Sequence, residues 1–125
     1  MMDAMTLRLQ SLVINTGDLG RAYAFWAQAL GARTRDGQEP EEGLDWLDLV
    51  LPGGARVALQ TGTVTAVDHD QPIHLDLAAD DRPGEVKRLV ALGATEVPSW
   101  PYPADADYTI LRDPDGHLFC VVDPG

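Results

Sequence analysis

The chain has 125 residues and a formal net charge of −11, with 9 Lys and Arg against 20 Asp and Glu. That length suits one domain with a real core, and that charge excludes the electrostatic footprint of a nucleic-acid or anionic-lipid binder. A single cysteine rules out an internal disulfide and fits a reducing cytoplasm, no apolar run approaches the roughly 20 residues of a membrane span, and Met1–Met5 lacks the basic segment of a secretory signal.

In chain order, Leu7–Ile14 reads as a strand, with Leu9, Ser11 and Val13 on one face and Leu12 and Ile14 on the other. Asp18 is placed to cap a helix over Leu19–Leu30, where Leu19, Ala22, Tyr23, Trp26, Ala29 and Leu30 recur at helical spacing. Gly31 closes that helix. Residues 34–43 form a polar, acidic loop. Leu44–Leu51 alternates as a strand, with Trp46, Asp48 and Val50 on one face. Pro52-Gly53-Gly54 turns the chain back into a strand over Arg56–Thr61, where Ala58 and Gln60 share a face. Residues 62–71 read as a polar linker.

The second half opens with a strand over Ile73–Ala78. A helix follows Asp80 and Asp81, with Pro83 in its first turn and an apolar stripe of Val86, Leu89, Val90 and Leu92. Gly93 ends it, residues 94–98 give a short strand, and residues 100–107 a loop bearing prolines and aromatics. Tyr108–Leu111 and Leu118–Val122 make a hairpin around Asp113-Pro114-Asp115-Gly116, where the aspartates and Gly116 suit the turn. The outgoing strand is apolar on both faces, as expected of a strand covered on both sides.

The two halves repeat. Ser11 matches His74 and Asp18 matches Asp81 at an offset of 63, Gly31 matches Gly93 at 62, and Gln60 is matched with Cys120 at 60. Each half reads as βαβββ, and since neither buries both faces of its sheet alone, the halves are expected to pair.

Paired βαβββ halves, the helix end carrying Ala22, Phe25, Trp26, Leu30 and Gly31, and the late DPDGH-x-F-C hairpin resemble the vicinal oxygen chelate superfamily, the glyoxalase, bleomycin-resistance and extradiol dioxygenase fold, in its glyoxalase-like branch. The resemblance implies an α+β fold in which two βαβββ modules form an open barrel around a cavity. Residues 1–125 would then be a single domain, with modules at 7–62 and 72–123. It also implies a homodimer in the cytoplasm of a bacterium. In the metal enzymes of this superfamily, four inward positions carry His and Glu ligands of a divalent ion. Carried over one at a time, those positions are Ser11, Gln60, His74 and Cys120. Only His74 matches, so no metal or other cofactor is expected.

The candidate ligand-binding residues are therefore Ser11, Trp46, Gln60, His74, Asp76, Trp100, Tyr108 and Cys120, with His74 the candidate catalytic group. A histidine ring can bind or transfer a proton, and Asp76 two residues on can orient it. Trp46, Trp100 and Tyr108 offer flat walls for a planar ligand. Each also has a plain structural role: a hydrogen-bonded histidine, a small buried cysteine, or core-filling aromatics. Trp26 is assigned to helix packing, Asp113 and Asp115 to the turn, and His69 and His117 to no chemistry. Three functions fit this set. The first is a metal-free binder that sequesters a small molecule, as resistance proteins do. The second is a lyase, isomerase or dioxygenase-like enzyme using His74, with or without a divalent metal. The third is an accessory domain whose cavity is filled by its own side chains.

Overall fold

The computed structural model describes residues 7–65 and 73–125. The chain divides into two compact units at Gly62 and Thr63, called here module 1 and module 2. In module 1, β1 (Leu12–Thr16) leads to α1 (Leu19–Leu30), then β2 (Arg33–Thr34), β3 (Trp46–Val50) and β4 (Arg56–Thr61). In module 2, β5 (Asp76–Ala78) leads to α2 (Arg82–Leu92), β6 (Thr95–Glu96), β7 (Tyr108–Arg112) and β8 (Leu118–Val122). The sheets run β1-β4-β3-β2 and β5-β8-β7-β6. In each, the first strand pairs parallel with the last, and the other pairs are antiparallel. The fold is α+β, with one βαβββ unit per half, as the repeat implies.

Local chemistry sets the helix ends. Asp18 accepts the Arg21 amide at 3.1 Å and Asp81 the Gly84 amide at 3.1 Å, filling donors that a helix start leaves open. Thr16, fully buried, takes the Asp18 amide on its hydroxyl at 3.0 Å and fixes the turn from strand to cap. Gly31 ends α1 at φ 61, a left-handed conformation that glycine adopts without strain.

Each sheet buries one face under its helix. In module 1, Ile14, Leu47, Leu49, Val57 and Leu59 meet Leu19, Ala22, Phe25 and Trp26. Phe25 and Trp26 pack edge to face at 5.0 Å. In module 2, Leu111, Phe119 and Val121 meet Val86 and Leu89. Arg82 binds the start of α2 to its sheet. Its guanidinium reaches Asp123 at 3.0 Å, the Thr109 hydroxyl at 3.0 Å and the Ala106 carbonyl at 3.3 Å.

Several expectations shift. The first strand begins at Leu12, not Leu7; Leu7 and Leu9 are 88% and 89% exposed. Leu12 pairs with Val57, the second residue of β4, so only Arg56 of that strand remains level with the residues before it. The fifth strand starts at Asp76, not Ile73, although Cys120 N–H still donates to the Leu75 carbonyl at 2.9 Å. Residues 33 and 34 form a two-residue strand, too short to show a period. Phe25, absent from the expected stripe, is in the core, while Val90 is 44% exposed. Most of the expected linker, with His69, lies outside the described residues.

Replacing Asp18 by Ala is expected to destabilise the fold by about 1 kcal/mol, the usual cost of losing an N-cap. A lower urea midpoint at unchanged m-value is the measurement.

Candidate functional site

Because side chains alternate along a strand, the residues not under a helix line the other face of each sheet. In module 1 that face carries Val13 level with Ala58 and Asp48, then Asn15 level with Gln60 and Trp46. The second row sets two amides beside an indole that is 41% exposed. Asp48 lies 3.8 Å from the Arg35 guanidinium. Ser11 precedes β1 and is half-buried.

In module 2 the corresponding face carries Asp76 level with Cys120 and Ile110, then Ala78 level with Val122 and Tyr108. His74 lies just before β5, and its Nδ1 is 3.0 Å from Asp76 Oδ1. A ring nitrogen of His74, a carboxylate oxygen of Asp76 and the Cys120 sulfur all lie within 4.8 Å of one another. His74 and Asp76 are exposed and Cys120 is half-buried. A histidine whose Nδ1 is engaged by a carboxylate has its ring orientation fixed and its second nitrogen aimed by that contact. The structure thus brings three of the expected residues together in one module.

Tyr102 completes the surroundings. Its hydroxyl donates to the Val97 carbonyl at 3.0 Å and accepts from Ile110 N–H at 2.9 Å. Its ring lies against Tyr108 at 5.6 Å. Burial pushes the Tyr102 hydroxyl above its ordinary pKa, the Ile110 N–H opposes that rise, and charges on Glu96, Cys120 and Tyr108 add to it. Sequence reasoning favoured Trp100 in this loop, but Trp100 is half-buried there, and Tyr102 is the residue that reaches the sheet. Its position between Pro101 and Pro103, both stiff in φ, was the available signal.

The hairpin registers also revise one correspondence. Val50 opposite Arg56 and Arg112 opposite Leu118 are the first pairs of the two hairpins, and Arg56 and Leu118 are 62 residues apart. The same offset sets Cys120 against Ala58, Val122 against Gln60 and Tyr108 against Trp46. At the first strands, the register places Asp76 against Val13 at 63, which keeps His74 against Ser11. Gln60 is therefore one row away from the counterpart of Cys120, and that counterpart, Ala58, has no donor at all.

The four-position metal set fails on this chemistry. Ser11 is a weak neutral donor, Gln60 is off the row, and Ala58 offers nothing to a divalent ion. The strong donors sit in module 2, where nitrogen, oxygen and sulfur together also suit zinc. A second titratable cluster, Asp113, Asp115 and His117, belongs to the turn. Asp113 Oδ1 accepts the backbone amides of Asp115 at 3.0 Å and His117 at 2.8 Å, as the sequence reading assigned it. Two open grooves lie elsewhere. One, of about 440 Å³, is lined by Asp18, Glu41, Glu42 and Asp45. The other, of about 500 Å³, runs beside α2 past Pro83, Val86 and Val90.

Two βαβββ modules, each with its first strand parallel to its last, are the fold expected of a protein of vicinal oxygen chelate type. The glyoxalase-like domain profile matches residues 11–122, and the chain belongs to that family. A search of curated proteins gave no match. Among solved structures, the chain is similar to a glyoxalase/bleomycin resistance protein/dioxygenase family enzyme from Burkholderia phytofirmans PsJN. The two are 18% identical, the match covers 91% of this chain and 96% of that one, and the TM-score is 0.67. It is similar to the fosfomycin resistance protein FosX from Mesorhizobium loti, at 20% identity, 97% and 94% coverage and a TM-score of 0.69. It is similar too to a variant of FosX from Listeria monocytogenes, solved with Mn(II) and 1S,2S-dihydroxypropylphosphonic acid, at 18% identity, 97% and 93% coverage and a TM-score of 0.72. At these identities the likeness is one of fold. Among the described residues, no helix is long and apolar enough to cross a membrane.

Tyr102→Phe is expected to cost about 1–2 kcal/mol, because the Val97 carbonyl and Ile110 N–H both lose a partner in a part-buried setting. The folded pKa of Tyr102 is raised, so the stability linked to its protonated form is full below the unfolded value near 10. It is lost as pH rises through the folded value. Urea midpoints from pH 8 to 11 should fall more steeply for the native chain than for Tyr102→Phe.

Proposed function

We propose that this glyoxalase-like protein binds a small organic molecule through its own side chains, without a metal, and acts by sequestration. The observation that carries this reading is the row Asn15, Gln60 and Trp46 on the face of the module 1 sheet turned away from α1. Two amides supply both donors and acceptors, and the exposed indole supplies a flat apolar surface. This is the polar-plus-aromatic composition of a small-molecule site. Trp46 and Tyr108 occupy matching rows in the two modules, so each module contributes an aromatic side chain to the same kind of position. The match of one family profile across residues 11–122 supports treating both modules as one functional domain. The family resemblance supports a two-fold homodimer, and the single cysteine a cytoplasmic setting.

An enzymatic reading is favoured by one observation, the His74–Asp76 contact at 3.0 Å. It gives a proton-transfer group held in one orientation. In that reading His74→Gln abolishes turnover and leaves ligand affinity intact.

Thermal shift against a panel of planar, hydrogen-bonding small molecules tests binding, since a ligand of the native state raises Tm by mass action. Trp46→Ala is expected to weaken any compound so found about tenfold, from about 1 kcal/mol or more of lost aromatic contact. A compound bound equally well by Trp46→Ala and by Gln60→Ala would contradict the reading.

A further inference from the structure

We propose that Cys120 captures soft electrophiles of the α,β-unsaturated carbonyl class covalently, with His74 as the proton carrier and Asp76 as a positioning residue. This rests on the sequestration reading and names the ligand class that module 2 would hold.

The placement argues for it. Cys120 is the chain's one cysteine. It lies mid-strand on the face of β8 turned away from α2, level with Asp76 on one side and Ile110 on the other. Ile110, directly level with the sulfur, is buried and apolar, and the one charged residue of β7 on that face, Arg112, stands a row away opposite Leu118 with its guanidinium donating to the Gly116 carbonyl at 2.9 Å. The polar groups beside it come from β5 and the segment before it, Asp76 and His74. A thiol needs a nearby base to become a nucleophile at neutral pH. The His74 ring nitrogen lies within 4.8 Å of both the sulfur and the Asp76 carboxylate, and both His74 and Asp76 are exposed, so a small molecule has access to that edge of the sulfur.

The reaction balances without a co-reactant. Nε2 of His74, the ring nitrogen other than the one held by Asp76, takes the Cys120 S–H proton. The sulfur forms a bond to the β-carbon of the acceptor, and the C=C pair shifts to the α-carbon and carbonyl oxygen. The imidazolium then returns the proton to the α-carbon. The product is a thioether containing every atom of thiol and acceptor, with nothing oxidised and no leaving group. Asp76 holds the ring and offsets the transient imidazolium charge.

N-ethylmaleimide, an acceptor of this class, is the probe. With one cysteine in the chain, a single mass increment by intact-protein mass spectrometry reports Cys120 alone, and Cys120→Ser is the blank. At pH 7 the second-order rate is expected to fall about a hundredfold in His74→Gln, the low end of a general-base contribution. It should fall less in Asp76→Asn and stay unchanged in His117→Gln. Asp76→Asn is expected to slow addition without moving the urea midpoint, and Asp76→Glu to recover part of the rate. Unfolding the native chain in urea should lower its rate to that of His74→Gln. Equal rates in the native chain and His74→Gln would overturn the proposal. So would a native rate below the unfolded one, which marks a merely buried thiol, or a rate that rises only after chelator treatment, which marks a bound ion. If addition fails these tests while Trp46-dependent thermal shifts persist, the electrophile step falls and binding stands. If His74-dependent addition persists without any such shift, the module 1 binding reading falls.

Discussion

Each module consists of a four-stranded sheet that a single helix can cover on only one side. That constraint governs the rest of the molecule. The alternation of side chains sends Leu47, Leu49, Val57 and Leu59 under α1, and by the same period sends Trp46, Asp48, Ala58 and Gln60 to the other face. In module 2 it sends Phe119 and Val121 under α2 and leaves Cys120 facing away. A one-residue slip in either register would exchange these sets, so the core and the candidate site are fixed by the same pairing. The devices that hold the register are local and polar: Thr16 beneath the Asp18 cap, the Asp113 carboxylate closing the β7–β8 turn, and Arg82 clamping α2 to Thr109 and Asp123.

The two modules share this frame and differ in what they mount on it. Row for row, Ser11 stands where module 2 has His74, Val13 where it has Asp76, and Ala58 where it has Cys120. In the next row, Trp46 matches Tyr108, but Gln60 meets Val122. Module 1 therefore mounts amides and an indole on this frame, and module 2 an imidazole, a carboxylate and a thiol.

Much of the architecture was legible in the sequence because its signals are local. The N-cap aspartates, the glycines after the helices and the Pro-Gly-Gly and Asp-Pro-Asp-Gly turns each act within a few residues, and α1, β4 and β8 have the expected bounds. Strand starts were less legible, because a strand extends only as far as its partner does, and that is a long-range property. Leu7 and Leu9 are apolar and alternate as a strand would, but among the described residues neither is paired in a sheet. The pairing of Asp76 with Cys120 joins residues 44 apart, so the sequence suggested a role for each without showing that they meet. Matching the repeat at Gln60 and Cys120 ignored the hairpin register, which is set by the position of the turn. Tyr102 was hidden because its role depends on the fold of an irregular loop.

The central claim is that this chain recognises and holds its ligand with side chains and not through a coordinated metal. Native mass spectrometry of untagged protein, purified without chelator, tests it most directly. The account predicts the mass of the polypeptide, as monomer or dimer, with no stoichiometric metal and with any retained small molecule either lost on denaturation or held as a thioether on Cys120. One zinc, iron, nickel or manganese per chain, removed together with the His74 or Cys120 side chain, would contradict it.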